Sequence, residues 1–466
     1  MKIKFCGAAQ TVTGSKHLLT LESGYKVLLD CGMFQGMGEL GGNRNRNFGF
    51  DASEIDCVIL SHAHIDHSGL LPKLAAEGFN GKVYTTPATK DLCGIMLRDS
   101  AFIQVSDLKY VNKRRAKRGE APITPLYTID DAEVILERFV GVNYLQEYRL
   151  NDEISFVFTD QGHLLGSAAV NLIITEPDRK FTLTFSGDIG RPNDHILRGP
   201  EKFPQADYII CESTYGNRLH EKQEGTEQRL LDIVNETCVK NKGKLIIPAF
   251  SVDRTQELVF ALDKMENAGI LPRIKVFVDS PLSVNATNIM RKHRECYNDT
   301  ILEYLKTDQD PFGFDNLEYI SDVNRSKELN DYKEPCIIIS SSGMAEAGRI
   351  KHHIANNIEK RNTTILIVGY CTPGSLGSEL KIGKKEVHIF GDVYPVNANV
   401  ESIDSYSAHA DYQEMLDWLE CQNKVEVKRL FIVHGEIETQ QDFKSKLQDT
   451  GFNAVYIPSY LEEVTI

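Results

Sequence analysis

The sequence predicts a mixed α/β protein whose central part contains a parallel sheet. Short runs rich in β-branched and aromatic residues, such as 25–30 and 154–158, are typical of strands. Segments with helical periodicity, such as 70–77, lie between these runs. From about residue 207 the strand and helix patterns alternate strictly, which indicates βαβ units. The length of 466 residues fits roughly two to four domains.

The predicted elements follow one another in a regular order. In the first part, apolar runs predict strands and amphipathic spacing predicts helices. These are strands 25–30, 57–60 and 154–158 and helices 70–77 and 130–140. The central block is predicted as strand 208–211, helix 224–240, strand 244–248, helix 254–268 and strands 275–278, 336–339 and 363–368. This block closes near Pro395.

The composition excludes several classes of protein. A net charge of −14 argues against a protein that coats nucleic acid through a generally basic surface. The ten cysteines include no CxxC pair, so neither a disulfide framework nor a zinc ribbon is indicated, and most should be buried thiols. No apolar run is long enough to span a membrane, and residues 1–5 resemble a strand rather than a signal peptide. We therefore expect a cytoplasmic protein with no membrane partner.

One segment, residues 109–118, is strongly cationic and contains Tyr110. A solvated helix or loop surface is one interpretation of such a run. Contact with an RNA backbone, with Tyr110 stacked on a base, is the other. The sequence leaves both open.

The segment 61–69 carries the strongest chemical signal. His62, His64, Asp66 and His67 follow directly after the predicted strand 57–60. If the backbone stays extended, His62, His64 and Asp66 project to one side, because side chains repeat every two residues. Imidazole and carboxylate groups are the ligands that catalytic zinc sites use. The cluster therefore predicts a metal site, with His67 at the entry to the next helix.

Four further polar residues occupy the same position in the chain, just beyond an apolar strand. They are Asp30, His163, Asp188 and His434. Each one alone is more typical of a turn or a capped strand end. Together they predict a dinuclear site that is assembled from distant segments at the ends of several strands.

The order of these motifs resembles the metallo-β-lactamase signature. It comprises Asp30, the run His62-Ala63-His64-Ile65-Asp66-His67, the turn 162–167 and Ser186-Gly187-Asp188. The later segments 211–216, 407–411 and 433–436 resemble motifs A, B and C of the β-CASP nucleases, the group that contains the mRNA 3′-end processing endonuclease. The resemblance covers nearly the whole chain.

The resemblance implies a fold and a ligand set. Residues 1–206 and 397–466 would form an αβ/βα sandwich, with residues 207–396 as an inserted β-CASP α/β domain. Two Zn²⁺ ions would be bound, although Mn²⁺ also suits carboxylate-rich sites. One ion would be held by His62, His64 and His163, the other by Asp66, His67 and His434, with Asp188 between them and Asp30 orienting a ligating histidine.

The resemblance also implies a zinc-dependent ribonuclease, with single-stranded RNA as the expected substrate. Asp66, Glu212 and His409 would be catalytic, with His409 oriented by Glu212 to protonate the leaving 3′-oxygen. The small-residue turn Ser341-Ser342-Gly343 follows a predicted strand and precedes a helical pattern, so it is a candidate substrate-phosphate pocket, with a plain turn as the alternative.

Several functional alternatives stay open from the sequence. The chain ends soon after a final strand, which favours an endonuclease over a 5′-3′ exoribonuclease. A small-molecule hydrolase acting on thioesters or lactams would not need the insertion or motifs A to C. An inactive scaffold is disfavoured because every ligand position is filled. The motifs do not set the oligomeric state, and a homodimer is compatible with them.

Overall fold

The computed structural model describes residues 1–220, 225–369, 371–372, 374–403 and 407–466. The chain divides into two compact units. The first unit contains Met1–Leu219 and Ala408–Ile466, and the second contains His220–Ser407. The first part of the chain therefore forms one body with the last part.

The first unit is built on two sheets, each of seven strands among the described residues. The first sheet has the order Glu463–Thr465, Lys2–Phe5, His17–Thr20, Lys26–Leu29, Cys57–Ile59, Lys82–Thr85 and Phe139–Gly141. The second has the order Val455–Tyr456, Arg429–Ile432, Tyr208–Cys211, Arg179–Phe185, Ala168–Glu176, Ile154–Asp160 and Tyr148–Arg149.

The two sheets pack face to face around one apolar core. Phe5, Val27 and Ile59 of the first sheet belong to the same buried cluster as Phe158 and Phe185 of the second. Alternate residues of each strand face this core because side chains repeat every two residues. This period fixes the register of the strands that end at the site.

Helices cover the outer face of the second sheet. Ile210 faces the core between the sheets, whereas its neighbours Ile209 and Cys211 pack with Met415 and Phe443. The helices of this unit are Gly38–Arg46, Ile65–Ser68, Leu71–Ala76, Pro87–Lys117, Ile129–Leu136, Tyr412–Leu419 and Ile437–Asp449, with a 3₁₀ turn at Ala52–Glu54. The unit is thus a sandwich of two sheets, which confirms the predicted fold class.

The second unit is a parallel α/β domain, as predicted. Its sheet has the order Leu317–Ile320, Lys275–Asp279, Cys336–Ser340, Lys244–Pro248, Thr364–Val368 and Asn399–Ile403. A hairpin joins Glu386–Ile389 to Asp392–Pro395. The helices are Thr226–Val234 with the π-helical extension Asn235–Lys240, then Arg254–Asn267, Pro281–Lys292, Asp299–Tyr304, Val323–Asp331, Ile350–Ala355 and Leu376–Lys381, with a 3₁₀ turn at Arg294–Cys296.

The boundaries between the units differ from the predicted ones at 206/207 and 396/397. The strand Tyr208–Cys211 pairs with Arg179–Phe185 and Arg429–Ile432, so it belongs to the first unit. The strand Asn399–Ile403 pairs with Thr364–Val368, so it belongs to the second. Sequence periodicity does not show which sheet a buried strand joins, and both boundaries were therefore placed too early.

Two helix predictions also need correction. The helix predicted over 130–140 ends at Leu136, and Phe139–Gly141 forms a strand because its aromatic and β-branched side chains suit a sheet edge. The helix predicted from Glu224 begins at Thr226, and Glu224 itself lies outside the described residues.

The cysteines are free and mostly buried, as the sequence predicts. All ten cysteines are free thiols, and Cys421 alone among them is not fully buried. Among the residues the structure describes, none of the helices combines the length and apolar character that crossing a membrane requires.

Candidate active site

The histidine-rich segment leaves the sheet and turns into a helix within a few residues. The strand Cys57–Ile59 ends before Ser61, and the helix Ile65–Ser68 begins after His64. Asp66 therefore lies in the first turn of a helix rather than on an extended strand. The expectation that Asp66 alternates onto the same side as His62 and His64 is wrong, and Asp66 faces a different set of ligands.

The first set of donor atoms comprises His62, His64, His163 and Asp188. His64 Nδ1 lies 3.1 Å from His62 Nε2 and 3.2 Å from His163 Nε2. Asp188 Oδ2 lies 3.5 Å from the Nε2 atoms of both His62 and His163. Four donors from three separate segments thus converge on one point.

The second set comprises Asp66, His67 and His434. His67 Nε2 lies 3.1 Å from His434 Nε2, and His434 Nε2 lies 3.4 Å from Asp66 Oδ2. Asp188 Oδ1 lies 3.2 Å from His67 Nε2. The Asp188 carboxylate therefore directs one oxygen to each set.

These distances match the requirements of a metal ion. An ion about 2.0–2.1 Å from four tetrahedral ligands places those ligand atoms about 3.3 Å apart. Burial lowers the pKa of His62 and His163 well below the ordinary value and lowers that of His64 to about 4. These imidazoles are consequently neutral, which is the form that binds metal. The residues present fit a metal site.

The electrostatic potential at the second set favours a cation. Burial lowers the pKa of His67, but the Asp188 and Asp30 carboxylates raise it well above the ordinary value. Both carboxylates are buried, at 2% and 0% exposure, so water screens them little. A divalent ion bound between these ligands would neutralise the negative charge of the Asp188 and Asp30 carboxylates.

Asp30 orients ligands of both sets, contacting His67 directly and His62 through Ser61. It follows the strand Lys26–Leu29, and its Oδ2 accepts a hydrogen bond from His67 Nδ1 at 2.6 Å. The Ser61 amide and hydroxyl donate to Asp30 at 2.8 Å and 3.0 Å. Ser61 Oγ in turn lies 3.0 Å from His62 Nδ1. Such contacts fix the tautomer and direction of a ligating imidazole.

The sequence did not predict the supporting roles of Ser61 and Thr214. Thr214 Oγ1 lies 2.9 Å from His434 Nδ1, and it donates to the His434 carbonyl oxygen at 3.1 Å. The hydroxyl oxygen therefore accepts a hydrogen bond from Nδ1–H and leaves Nε2 free to bind a metal ion. Ser61 directly precedes His62, so its position in the sequence could have indicated a supporting role. Thr214 is distant in sequence from His434, so its role depends on the fold.

We expect Thr214→Val to weaken metal binding at the second set by about 10- to 100-fold, because His434 loses the group that fixes its tautomer. Chelator competition with zinc measures the affinity directly. Thr214→Ser keeps the hydroxyl and should retain the wild-type affinity. Equal zinc affinity in the valine and serine variants would contradict this role for Thr214.

Glu212 and His409 form a pair beside the metal ligands. Glu212 is fully buried after the strand Tyr208–Cys211, where its Oε1 accepts the Ile189 amide at 2.6 Å. His409 Nδ1 lies 3.3 Å from the same oxygen. The His409 ring centroid is 4.5 Å from that of His163. The pair is therefore in place to act on a group bound at the metal ligands.

The protonation state of His409 suits an acid. Burial lowers its pKa, but the charge of Glu212 and its hydrogen bond raise the pKa to about 9, with a smaller contribution from Asp188. His409 therefore carries its proton at neutral pH. A general acid needs such a proton within reach of the leaving group.

The turn Ser341-Ser342-Gly343 lies in the second unit, after the strand Cys336–Ser340. Ser341 Oγ donates to Ser280 Oγ at 3.0 Å, and Ser342 Oγ accepts the Glu346 amide at 3.2 Å. The expected helix N-terminus directly after the turn is wrong, because the next helix begins at Ile350. The proposed phosphate pocket would consist of the Ser341 and Ser342 hydroxyl groups, because Gly343 is buried against Phe250.

Models of three protein families match the chain in sequence order. The metallo-β-lactamase superfamily model matches residues 17–216, the β-CASP domain model 255–380, and the model of a Zn-dependent metallo-hydrolase RNA specificity domain 393–458. A protein named as a ribonuclease from Thermus thermophilus is 35% identical over 94% of both chains. The chain belongs to the β-CASP family of the metallo-β-lactamase superfamily. As a member of that family, it is a metal-dependent hydrolase.

Other members of the β-CASP family extend the comparison. An RNase J-like protein of Methanocaldococcus jannaschii is 30% identical over 98% of this chain and 97% of its own. The cleavage and polyadenylation specificity factor 73 of Drosophila melanogaster is 29% identical over 96% of this chain and 62% of its own. The similarity thus reaches both prokaryotic and eukaryotic members.

Proposed function

We propose that this protein is a zinc-dependent ribonuclease that hydrolyses RNA phosphodiester bonds at a site with two metal ions. The main support for this proposal is the pair of donor sets that share Asp188, with Glu212 and His409 beside them. The names of the ribonuclease and RNase J-like relatives support RNA as the substrate. A thioester hydrolase would have little use for the His409 acid, because a thiolate leaves without protonation.

The ligands divide between the two ions according to the donor distances. His62, His64 and His163 would hold one ion, and Asp66, His67 and His434 the other. Asp188 would contribute one oxygen to each. The nitrogen-rich first set favours zinc, while the carboxylates also allow manganese.

When bound, two such ions supply an activated water and stabilise negative charge on the phosphate oxygens. The chain itself supplies the proton. His409 is protonated at neutral pH, and Glu212 accepts a hydrogen bond from its Nδ1, which leaves Nε2 to donate to the departing 3′-oxygen. The carboxylate stabilises the imidazolium and holds the ring in one orientation.

The second unit would bind the substrate backbone. Ser341, Ser342 and Gly343 lie at the carboxyl end of a parallel strand, next to the end of Lys275–Asp279. Ligands of open α/β sheets bind at this edge. We propose that this turn contacts a phosphate of single-stranded RNA and that cleavage is endonucleolytic.

The proposal is tested with 5′-end-labelled single-stranded RNA and zinc-loaded protein. The double variant His64→Ala, Asp66→Ala removes one ligand from each set and serves as the control. Internal fragments that disappear in the control would support an endoribonuclease. Release of mononucleotides from the labelled end would contradict endonucleolytic cleavage and indicate a 5′-3′ exoribonuclease. No cleavage by folded, zinc-loaded protein would overturn the ribonuclease proposal.

A further inference from the structure

The helix Pro87–Lys117 has two halves of different character. Its N-terminal half is packed into the first unit, and Thr86 and Thr89 both donate hydroxyl hydrogen bonds to the Gly166 carbonyl oxygen at 2.6 Å and 2.9 Å. Ala101 is the last buried residue of the helix. Beyond it, Phe102 is 61% exposed and Tyr110 is 77% exposed.

The C-terminal half has one covered side and one open side. Asn112 exchanges hydrogen bonds with the Ile123 carbonyl oxygen and amide, so the segment after the helix packs along that side. Arg115 bonds the Ala121 carbonyl oxygen and pairs with Glu120 on the same side. Residues three or four apart share a helix face. The open side therefore carries Phe102, Ile103, Lys109, Tyr110, Lys113, Arg114 and Lys117, which we call the basic helix face.

The charges of the basic helix face have no partners in the described part of the chain. Lys109, Lys113, Arg114 and Lys117 form no ion pair there, in contrast to Arg115. The protein as a whole has a net charge of −14. A concentrated group of free cations on an acidic protein attracts a polyanion to that place.

We propose that the basic helix face binds the backbone of single-stranded RNA outside the cleavage site. Free ammonium and guanidinium groups contact phosphates, and exposed aromatic rings such as Tyr110 stack on bases. Lys109 lies about 30 Å further along the helix axis than Thr89, which bonds the loop that carries His163. The face therefore contacts RNA well away from the scissile bond. The inference depends on the proposed ribonuclease function.

The test compares two charge-matched variants of the full chain. The first is Lys113→Gln, Arg114→Gln, Lys117→Gln, and the control is Lys82→Gln, Lys180→Gln, Lys202→Gln at exposed positions of the same unit. Both are made in the His64→Ala, Asp66→Ala background to prevent cleavage. Binding of labelled RNA of about 30 nucleotides and about 4 nucleotides is measured by fluorescence anisotropy over a range of salt concentrations.

The first variant should bind the long RNA about 10- to 100-fold more weakly at 0.1 M salt, because about three phosphate contacts are lost. The dependence of log affinity on log salt should become less steep by about 2. The control variant should match the parent protein. Tyr110→Ala should weaken long-RNA binding at every salt concentration without changing that slope, since stacking is not ionic.

Two results would overturn the inference. Equal affinity of the first variant and the control for the long RNA would show that the face serves another partner, such as an acidic protein. An equal loss for the short RNA would place these residues at the cleavage site instead. Failure of the proposed function is distinguishable, because the wild-type chain would then cleave neither RNA, whatever the binding results.

Discussion

Asp188→Asn is expected to remove metal from both donor sets and to lower RNA cleavage by about 10⁴-fold or more. Asp188 directs one oxygen to each set, and an amide offers a single neutral oxygen in its place. Removing one member of an interdependent catalytic unit costs nearly as much as removing the whole unit. Zinc content after gel filtration and initial rates on single-stranded RNA measure the two effects.

Asp30→Asn is the matched control, because it changes a buried carboxylate of the same site that contacts ligands without directing an oxygen to either set. We expect zinc affinity to fall by only about 10- to 100-fold in this variant. Two tightly bound zinc ions in Asp188→Asn, or equal losses in the two variants, would contradict the shared position of Asp188.

His409→Ala is expected to lower the cleavage rate by about 10²- to 10⁴-fold while the bound zinc is retained. His409 contacts Glu212 and the His163 ring but belongs to neither donor set. The loss should therefore appear in kcat, with little change in zinc content. Single-turnover rates with saturating protein measure this loss of rate for the chemical step alone.

Substrates with a better leaving group separate proton donation from a structural effect of the His409 variant. An RNA with a 3′-thio leaving group at one linkage needs little protonation, so it should restore much of the lost rate. Glu212→Gln should show the same pattern with a smaller loss, because the imidazolium loses its counter-charge. A loss of zinc in His409→Ala, or no rescue by the thio substrate, would contradict the acid role.

The fold could be predicted from the sequence to the level of architecture. Strand and helix periodicity predicted the α/β class and the parallel sheet of the second unit, since both depend on local patterns. The sheet that each buried strand joins depends on contacts distant in sequence. For this reason Tyr208–Cys211 and Asn399–Ile403 were assigned to the wrong units.

The candidate site divides in the same way. His62, His163 and Asp188 were predicted from their position just beyond strands, because strand ends are local features. Strand periodicity missed the direction of Asp66, since a helix begins between it and His64, whereas the family resemblance had grouped it with His67 and His434. The contact of Thr214 with His434 joins residues 220 positions apart, so no spacing rule indicates it.

The order of the strands has a consequence for synthesis of the chain. Arg429–Ile432 pairs with Tyr208–Cys211, and the whole second unit is made between them. Until residue 432 emerges, the Tyr208–Cys211 strand is an open sheet edge, a feature that promotes aggregation. His434 is also absent until then. A nascent chain that stops before residue 429 therefore exposes an unpaired sheet edge and lacks His434, a ligand of the second set.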